Sequence, residues 1–453
     1  MKEKPQIKAY KLDMTSGSIF GKLVRFSVPL VLSSLLQLLF NAADIVVVGR
    51  FAGDNSLAAV GSTSSLINLM VNLFVGLSIG ANVVAANFFG ANKIRELKIT
   101  IHTAMLLSFY SGLVLTILGV FGAKHILYLM KAPEEVLGLA TLYLQIYFAG
   151  ITATMVYNFG SALLRAKGDT KRPMYYLMFS GIVNVILNLF FVIVFKLDVA
   201  GVALATVISQ CISAFLVVRC LTKETEEFRL ELKKLAIDQP ILYRIIKIGV
   251  PAGLQGIVFS LSNVVIQSAI NSFGSTVIAG NSAALNIEGF VYTSMNGFSQ
   301  GTLTFVSQNL GAAKHNRIKR SVLISLGCVF VIGIVLGFAI AFFGYSLLGI
   351  YTSSLDVIAV GIKRLWIIGI TYALCGMMDV CANALRGMGK SMQPMIITLL
   401  GACGIRLLWL ATIFRIPKFH SPEIIYISYP VSWGITLGAL LIAFIVVAKK
   451  ESN

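Results

Sequence analysis

Residues 163–174 read "LLRAKGDTKRPM" and residues 384–395 read "ALRGMGKSMQPM". Leu164/Leu385, Arg165/Arg386, Gly168/Gly389, Pro173/Pro394 and Met174/Met395 recur in register, 221 positions apart. Each copy has the chemistry of a helix end followed by a helix start. Arg165 and Arg386 counter the negative C-terminal end of a helix, and Gly168 and Gly389 supply a left-handed turn. Pro173 and Pro394 suit the first turn of the next helix, where no backbone donor is lost. A phosphate-binding loop requires a glycine spacing that neither copy has. The motif is therefore a structural repeat: a turn and an anchor between helices.

Other segments return in the same order. "FSVPL" (26–30) is echoed by "IGVPA" (248–252), and "GLSIGANVVAANFFGANKIRELK" (76–98) by "GFSQGTLTFVSQNLGAAKHNRIK" (297–319). The latter pair shares Gly76/Gly297, Gly80/Gly301, Gly90/Gly311, Ala91/Ala312, Lys93/Lys314 and Lys98/Lys319. Recurrence of three separated segments marks an internal duplication.

Composition says what is duplicated. Of 453 residues, 57% are hydrophobic and only 12% charged, and the mean hydropathy is +0.85. A soluble domain carries about 25% charged residues. Apolar runs long enough to cross a ~30 Å hydrocarbon core recur along the chain. They predict twelve transmembrane helices near 20–48, 57–86, 99–122, 136–165, 174–195, 199–221, 243–270, 277–307, 320–346, 358–386, 394–415 and 424–447. The first 18 residues are too polar for a signal peptide, so the first span is expected to stay in the mature protein.

A net charge of +18 would suggest nucleic acid for a soluble protein. Here the basic residues fall in alternate loops, which the positive-inside rule explains without a nucleic-acid partner. The N-terminal tail (Lys2, Lys4, Lys8, Lys11), 91–98, 165–173, 222–247, 312–320, 386–390 and Lys449–Lys450 all lie on one side, so both termini are expected in the cytoplasm. Six helices per half, an even number, give two parallel six-helix lobes around a shared cavity. The lobes are expected at 1–221 and 243–453, with 222–242 as a cytoplasmic linker. Such a build is that of a transporter by default. The six cysteines lie in apolar spans with no metal-ligand or disulfide spacing and read as packing residues.

The repeat motif, "VPLVLSSLLQLLFNAADIVVVGRFAGDNSLAAVG" (28–61) and "GIVNVILNLFFVIVFKLDVAGVALATVISQ" (181–210) resemble the multidrug and toxic compound extrusion (MATE) family, over nearly the whole chain. The resemblance implies an all-α, polytopic protein of a bacterial inner membrane. It also implies export of organic, often cationic, compounds driven by H⁺ or Na⁺, with no other cofactor and as a monomer among lipids.

Ionisable groups at membrane depth cost about 2.5–3.5 kcal/mol on insertion scales, so those present are functional candidates. In the N-terminal half the deep acid is Asp44. Gln37, Asn41 and Asp44 are spaced along one face of a helix, and a carboxylate flanked by amides suits a proton or a small hard cation. The resemblance adds weight to Asp44 and maps Asn184, Asn188 and Thr206 onto a polar cluster that helps hold the coupling ion. Asn158 lies near the end of the fourth span. Asn188 stands where some family members carry an acid. For Asn184, Asn188 and Thr206, plain interhelical hydrogen bonding is the equal alternative. The C-terminal half offers Glu288, Asp379 and Arg406. Arg406 is too far from the helix ends to snorkel and is expected to pair with Glu288 or Asp379, as a structural pair or a second protonation site. The place corresponding to Asp44, at Ile266 or a close neighbour, has no acid.

Rival classes are less well supported. A flippase for a lipid-linked saccharide shares the two-lobe build, but its anionic substrate calls for several deep cations, and Arg406 is the one evident here. An intramembrane enzyme is disfavoured because the four histidines are scattered near helix ends. No repeated filter segment suggests a channel.

Overall fold

The computed structural model describes residues 12–129, 134–225 and 227–451. The lysines of the N-terminal tail, assigned above to the cytoplasmic side, lie outside these residues. Helices make up almost all of the rest, and no strand occurs among the described residues.

The twelve spans are α1 (Ile19–Phe51), α2 (Asp54–Gly90), α3 (Ile94–Leu129), α4 (Glu134–Ala149 and Ile151–Ala166), α5 (Lys171–Leu189), α6 (Asp198–Thr222), α7 (Gln239–Asn271), α8 (Ser275–Gly311), α9 (His315–Phe342), α10 (Leu355–Arg364 and Ile370–Gly387), α11 (Met392–Thr398 and Ile405–Ala411) and α12 (Pro422–Lys450). Ten of these are long and apolar enough to cross a membrane by themselves, and α4 does so as two pieces bent by 46°. The remaining helix, α8, has 37 residues. Its length suffices, but Asn281, Glu288, Asn296, Gln300 and Gln308 dilute its apolar character. Among the described residues three spans contain a π-helical turn: Phe190–Val194 ends α5, Leu365–Gly369 lies within α10, and Leu399–Gly404 within α11. Such turns are rare and cluster at functional sites.

The duplication is visible in the backbone. Helices α1 and α7 each have 33 residues and an internal proline, Pro29 and Pro251. Helices α2 and α8 each have 37 and start after a left-handed glycine, Gly53 (φ 86°) and Gly274 (φ 92°). The repeat motif behaves as its composition requires. Gly168 and Gly389 have φ of +96° and +76°. Gly168 N–H donates to Arg165 O and Gly389 N–H to Arg386 O, both at 2.8 Å; Asp169 N–H donates to Leu164 O and Lys390 N–H to Leu385 O, both at 3.0 Å. This is the glycine-terminated helix end that satisfies two otherwise orphaned carbonyls.

Among the described residues, one compact unit holds Leu32–Gly253 with residues 12–14, and the other holds Thr15–Val31 with residues 254–451. These borders cut the chain elsewhere than the sequence halves 1–221 and 243–453. The first turns of α1 pack in the unit formed by the second half, and the first turns of α7 in the unit formed by the first. Repeated glycines are the physical reason. A Cβ on Gly76 would lie 2.4 Å from Gly253 N, and one on Gly80 would lie 2.3 Å from Ile245 O. A Cβ on Gly297 would lie 2.4 Å from Val31 Cγ2, and one on Gly301 would lie 2.6 Å from Ser27 Oγ. Small residues that let backbones meet are the usual basis of helix packing in lipid.

In the first unit α3 packs on both pieces of α4, α5 on α6, and α4 on α2 and α6. In the second, α8, α9 and α10 pack on one another, and α10 packs on α12. The linker is pinned to the first unit. Glu224 is paired with Lys167 and Arg172, His102 Nε2 accepts the Glu231 N–H at 3.1 Å, and Thr103 Oγ1 accepts the Asp238 N–H at 3.1 Å.

Candidate functional site

In the first unit, α1 and α5 meet where Gly181 faces Phe40. A Cβ on Gly181 would lie 1.8 Å from the Phe40 ring, so any side chain there would require the ring to move aside. Phe40 lies one turn before Asp44 on α1, and Gly181 lies one and two turns before Asn184 and Asn188 on α5, on the same faces. The close approach brings the polar groups together. Asn188 Nδ2 donates to Asp44 Oδ1 and, at 3.3 Å, to Asn184 Oδ1. Asn184 Nδ2 donates to Thr206 Oγ1 at 3.4 Å, and Thr206 Oγ1 donates to Val202 O at 3.0 Å. Asn188 is fully buried, and among the described residues its Oδ1 has no hydrogen-bond donor. A carboxylate beside an undonated amide oxygen is a donor set for a proton or a small hard cation.

The structure thus joins Asp44, Asn188, Asn184 and Thr206 into one network. Gln37 and Asn41 are exposed on α1, and Asn158 is half-buried on α4. Among the described residues no hydrogen bond links these three to Asp44.

The second unit corrects the expected pairing of Arg406. Both oxygens of Glu288 are held by Arg364, whose Nε and Nη2 donate at 2.9 and 2.8 Å. Arg364 Nη1 donates to Asn281 Oδ1 at 2.8 Å, and Asn281 Nδ2 to Gln267 Oε1 at 3.1 Å. Arg406 instead donates its Nε to Ser432 Oγ at 2.9 Å and lies 4.1 Å from the centre of the Tyr429 ring. Asp379 is half-buried, and among the described residues it forms no ion pair with Arg406. The physical reason is reach: Glu288 is saturated by a planar fork from Arg364.

Arg386, from the second copy of the repeat motif, is buried. Its Nη1 and Nη2 donate to Asn383 Oδ1 and Gln255 Oε1, both at 2.6 Å, tying α10 to α7.

The sequence is matched by the family model MatE over residues 29–190 and 251–410. The two matches together exceed half of the chain. The chain belongs to the MatE family. Relatives include the probable multidrug resistance protein YoeA of Bacillus subtilis, 26% identical, covering 93% of this chain and 92% of the relative. Another is the probable multidrug resistance protein NorM of Thermotoga maritima, 25% identical, covering 85% and 84%. The fold matches a multidrug resistance MATE transporter solved in an outward-facing conformation, with a TM-score of 0.90, 21% identity and 98% of each chain covered. It also matches the MATE transporter VcmN of Vibrio cholerae, with a TM-score of 0.87, 22% identity and 97% and 99% covered. Twelve membrane-spanning helices are the MATE fold.

The two MatE matches enclose Asp44, Asn184 and Asn188 in one copy and Glu288, Arg364, Asp379 and Arg406 in the other. Sequence reasoning missed Gly181 and Arg364. Arg364 sits only ten residues into α10, close enough to its start to pass for a snorkelling side chain. The i, i+7 pair Asn281 and Glu288 on α8 was the available signal that a buried cation was needed opposite. For Gly181 the sequence holds no signal beyond a glycine inside an apolar helix.

Proposed function

We propose that this MATE transporter exports organic compounds by alternating access, coupled to H⁺ or Na⁺ at Asp44. The observation that carries the reading is the network in which the intramembrane carboxylate of Asp44 takes a hydrogen bond from Asn188, backed by Asn184 and Thr206. One negative charge in that network favours exchange between a proton or sodium ion and a cationic compound. The multidrug resistance proteins among its relatives favour efflux over the flippase alternative. Its setting is a bacterial inner membrane, as a monomer with both termini in the cytoplasm, in line with the distribution of Lys and Arg.

The test is efflux of a fluorescent organic cation from membrane vesicles under imposed proton or sodium gradients. Wild-type protein should respond to one of these gradients, and Asp44→Asn should abolish that response. Gradient-driven efflux unchanged in Asp44→Asn would sink the coupling role.

A further inference from the structure

Three residues on one face of α12, Tyr426, Tyr429 and Trp433, form the wall of a buried polar cluster in the second unit. Arg364 lies 5.4 Å from the Tyr426 ring centre and 5.5 Å from that of Tyr429. Arg406 lies 4.1 Å from Tyr429 and 5.4 Å from Trp433. Tyr429 therefore has two guanidinium groups against it. Arg364, Arg406 and Glu288 are 2%, 3% and 1% exposed.

The charges in this cluster do not balance. Two arginines face one carboxylate, and both oxygens of that carboxylate belong to Arg364. Arginine does not lose its proton in proteins, so the excess positive charge persists. Among the described residues Arg406 forms no ion pair, and its buried Nη2 has no acceptor. The Tyr426 hydroxyl, on the same face of α12, is likewise buried and, among the described residues, without a partner. The aromatic faces soften the cost of Arg406 but supply no acceptor to its fork. An uncompensated buried guanidinium costs several kcal/mol, and an oxyanion would remove that cost by accepting from Nη2. The backbone beside it is irregular: the π turn of α11 ends at Gly404, and that of α10 begins directly after Arg364.

We propose that Arg406, with Tyr429 and Trp433, is a binding subsite for the oxyanion group of an aromatic organic compound, so that the substrates include carboxylates or organic phosphates. The inference rests on the reading of the protein as a transporter of organic compounds and extends its substrate class. Arg406 Nη2 supplies the charge-assisted donor, beside the aromatic rings of Tyr429 and Trp433.

The experiment is thermal unfolding of the purified full-length protein in detergent at neutral pH, with benzoate, phenyl phosphate or benzylammonium at millimolar concentration. Ligands that bind the folded state raise its melting temperature. One or both anions should raise it by several degrees, and benzylammonium should not. A response to benzoate alone assigns the site to carboxylates, and a response to phenyl phosphate alone assigns it to phosphates. Arg406→Met should lose the response. If that variant is not recovered folded, Arg406→Lys, which keeps the charge but not the fork, should require a severalfold higher benzoate concentration. No anion response in the wild type, an equal response to benzylammonium, or an undiminished response in the Arg406 variants overturns the proposal. Efflux of the organic cation is measured in parallel, after the same protein is reconstituted into lipid vesicles. Its absence would overturn the transport reading alone, and its presence without an anion response would overturn the oxyanion subsite alone.

Discussion

Gly181 and Phe40 meet so closely that the first carbon of any side chain at 181 would fall 1.8 Å from the Phe40 ring. Their contact sets the distance between α1 and α5, and with it the hydrogen bond from Asn188 to Asp44. Gly181→Val should therefore cut gradient-driven efflux at least tenfold while costing about 1–3 kcal/mol of stability, the usual price of overpacking. Pairing it with Phe40→Ala should recover part of the activity. Efflux and thermal unfolding of the single and double variants check this; full activity in Gly181→Val would mean that the contact does not position the site.

Asn188 donates to two acceptors at once, Asp44 and Asn184. Asn188→Leu keeps the branching and number of heavy atoms and removes both bonds. The expected result is an efflux rate reduced about tenfold or more, as a charged-group hydrogen bond of about 1.5–3 kcal/mol implies. Thr206→Val, at the far end of the network, should have a smaller effect. Equal losses would point to packing in place of coupling.

The fork between Arg364 and Glu288 is buried on both sides. Arg364→Met leaves Glu288 an uncompensated charge and should lower stability by about 3–5 kcal/mol. The double variant Arg364→Met/Glu288→Leu should be more stable than that single one, because no lone charge remains. A double-variant cycle by thermal unfolding in detergent measures the coupling.

Glu224 ties the linker to the first repeat loop. Burial alone would raise the pKa of its carboxyl, but the hydrogen bond from Lys167 and the charge of Arg172 overcome burial and hold it below the ordinary value. A carboxylate with a depressed folded-state pKa stabilises the fold above its unfolded pKa, and that contribution disappears as pH falls through the folded value. The linker should therefore resist protease at neutral pH and become cleavable on acidification below the usual carboxylate range. Glu224→Gln should be cleavable at neutral pH already and show a flatter pH profile.

Local chemistry was legible in the sequence, and tertiary chemistry was not. The turn at Gly168 and Gly389 is written in the order Arg, Gly, Pro, and each copy forms the bonds that order demands. Spans such as α9 declare themselves by uninterrupted apolar length. Asp44 stood out because a lone carboxylate at depth is costly wherever it sits. Its partner was legible only as one of several amides, because a membrane amide bonds across helices for many reasons. The expected union of Arg406 with Glu288 failed because charge tells which groups need partners and says nothing about which helix faces meet. Arg364, hidden by its nearness to a helix end, had already taken the acid. The π turns beside Asn188, Arg364 and Arg406 have no residue pattern to betray them, since they arise from packing around an extra residue.

The exchange of the first turns of α1 and α7 has a consequence for biosynthesis. The unit built from the first half lacks one of its walls until residues 239–253 have left the ribosome, since Gly76 and Gly80 have nothing to close on before Ile245, Gly249 and Gly253 exist. Equally, residues 15–31, among the first to be made, must wait in the bilayer for Gly297 and Gly301 to arrive. The first unit closes only after the start of the second half is made, and the second closes only on a segment made at the very beginning. A chain truncated at the linker would leave both a gap and an orphaned strip of helix, giving cellular quality control a clear signature of an incomplete molecule.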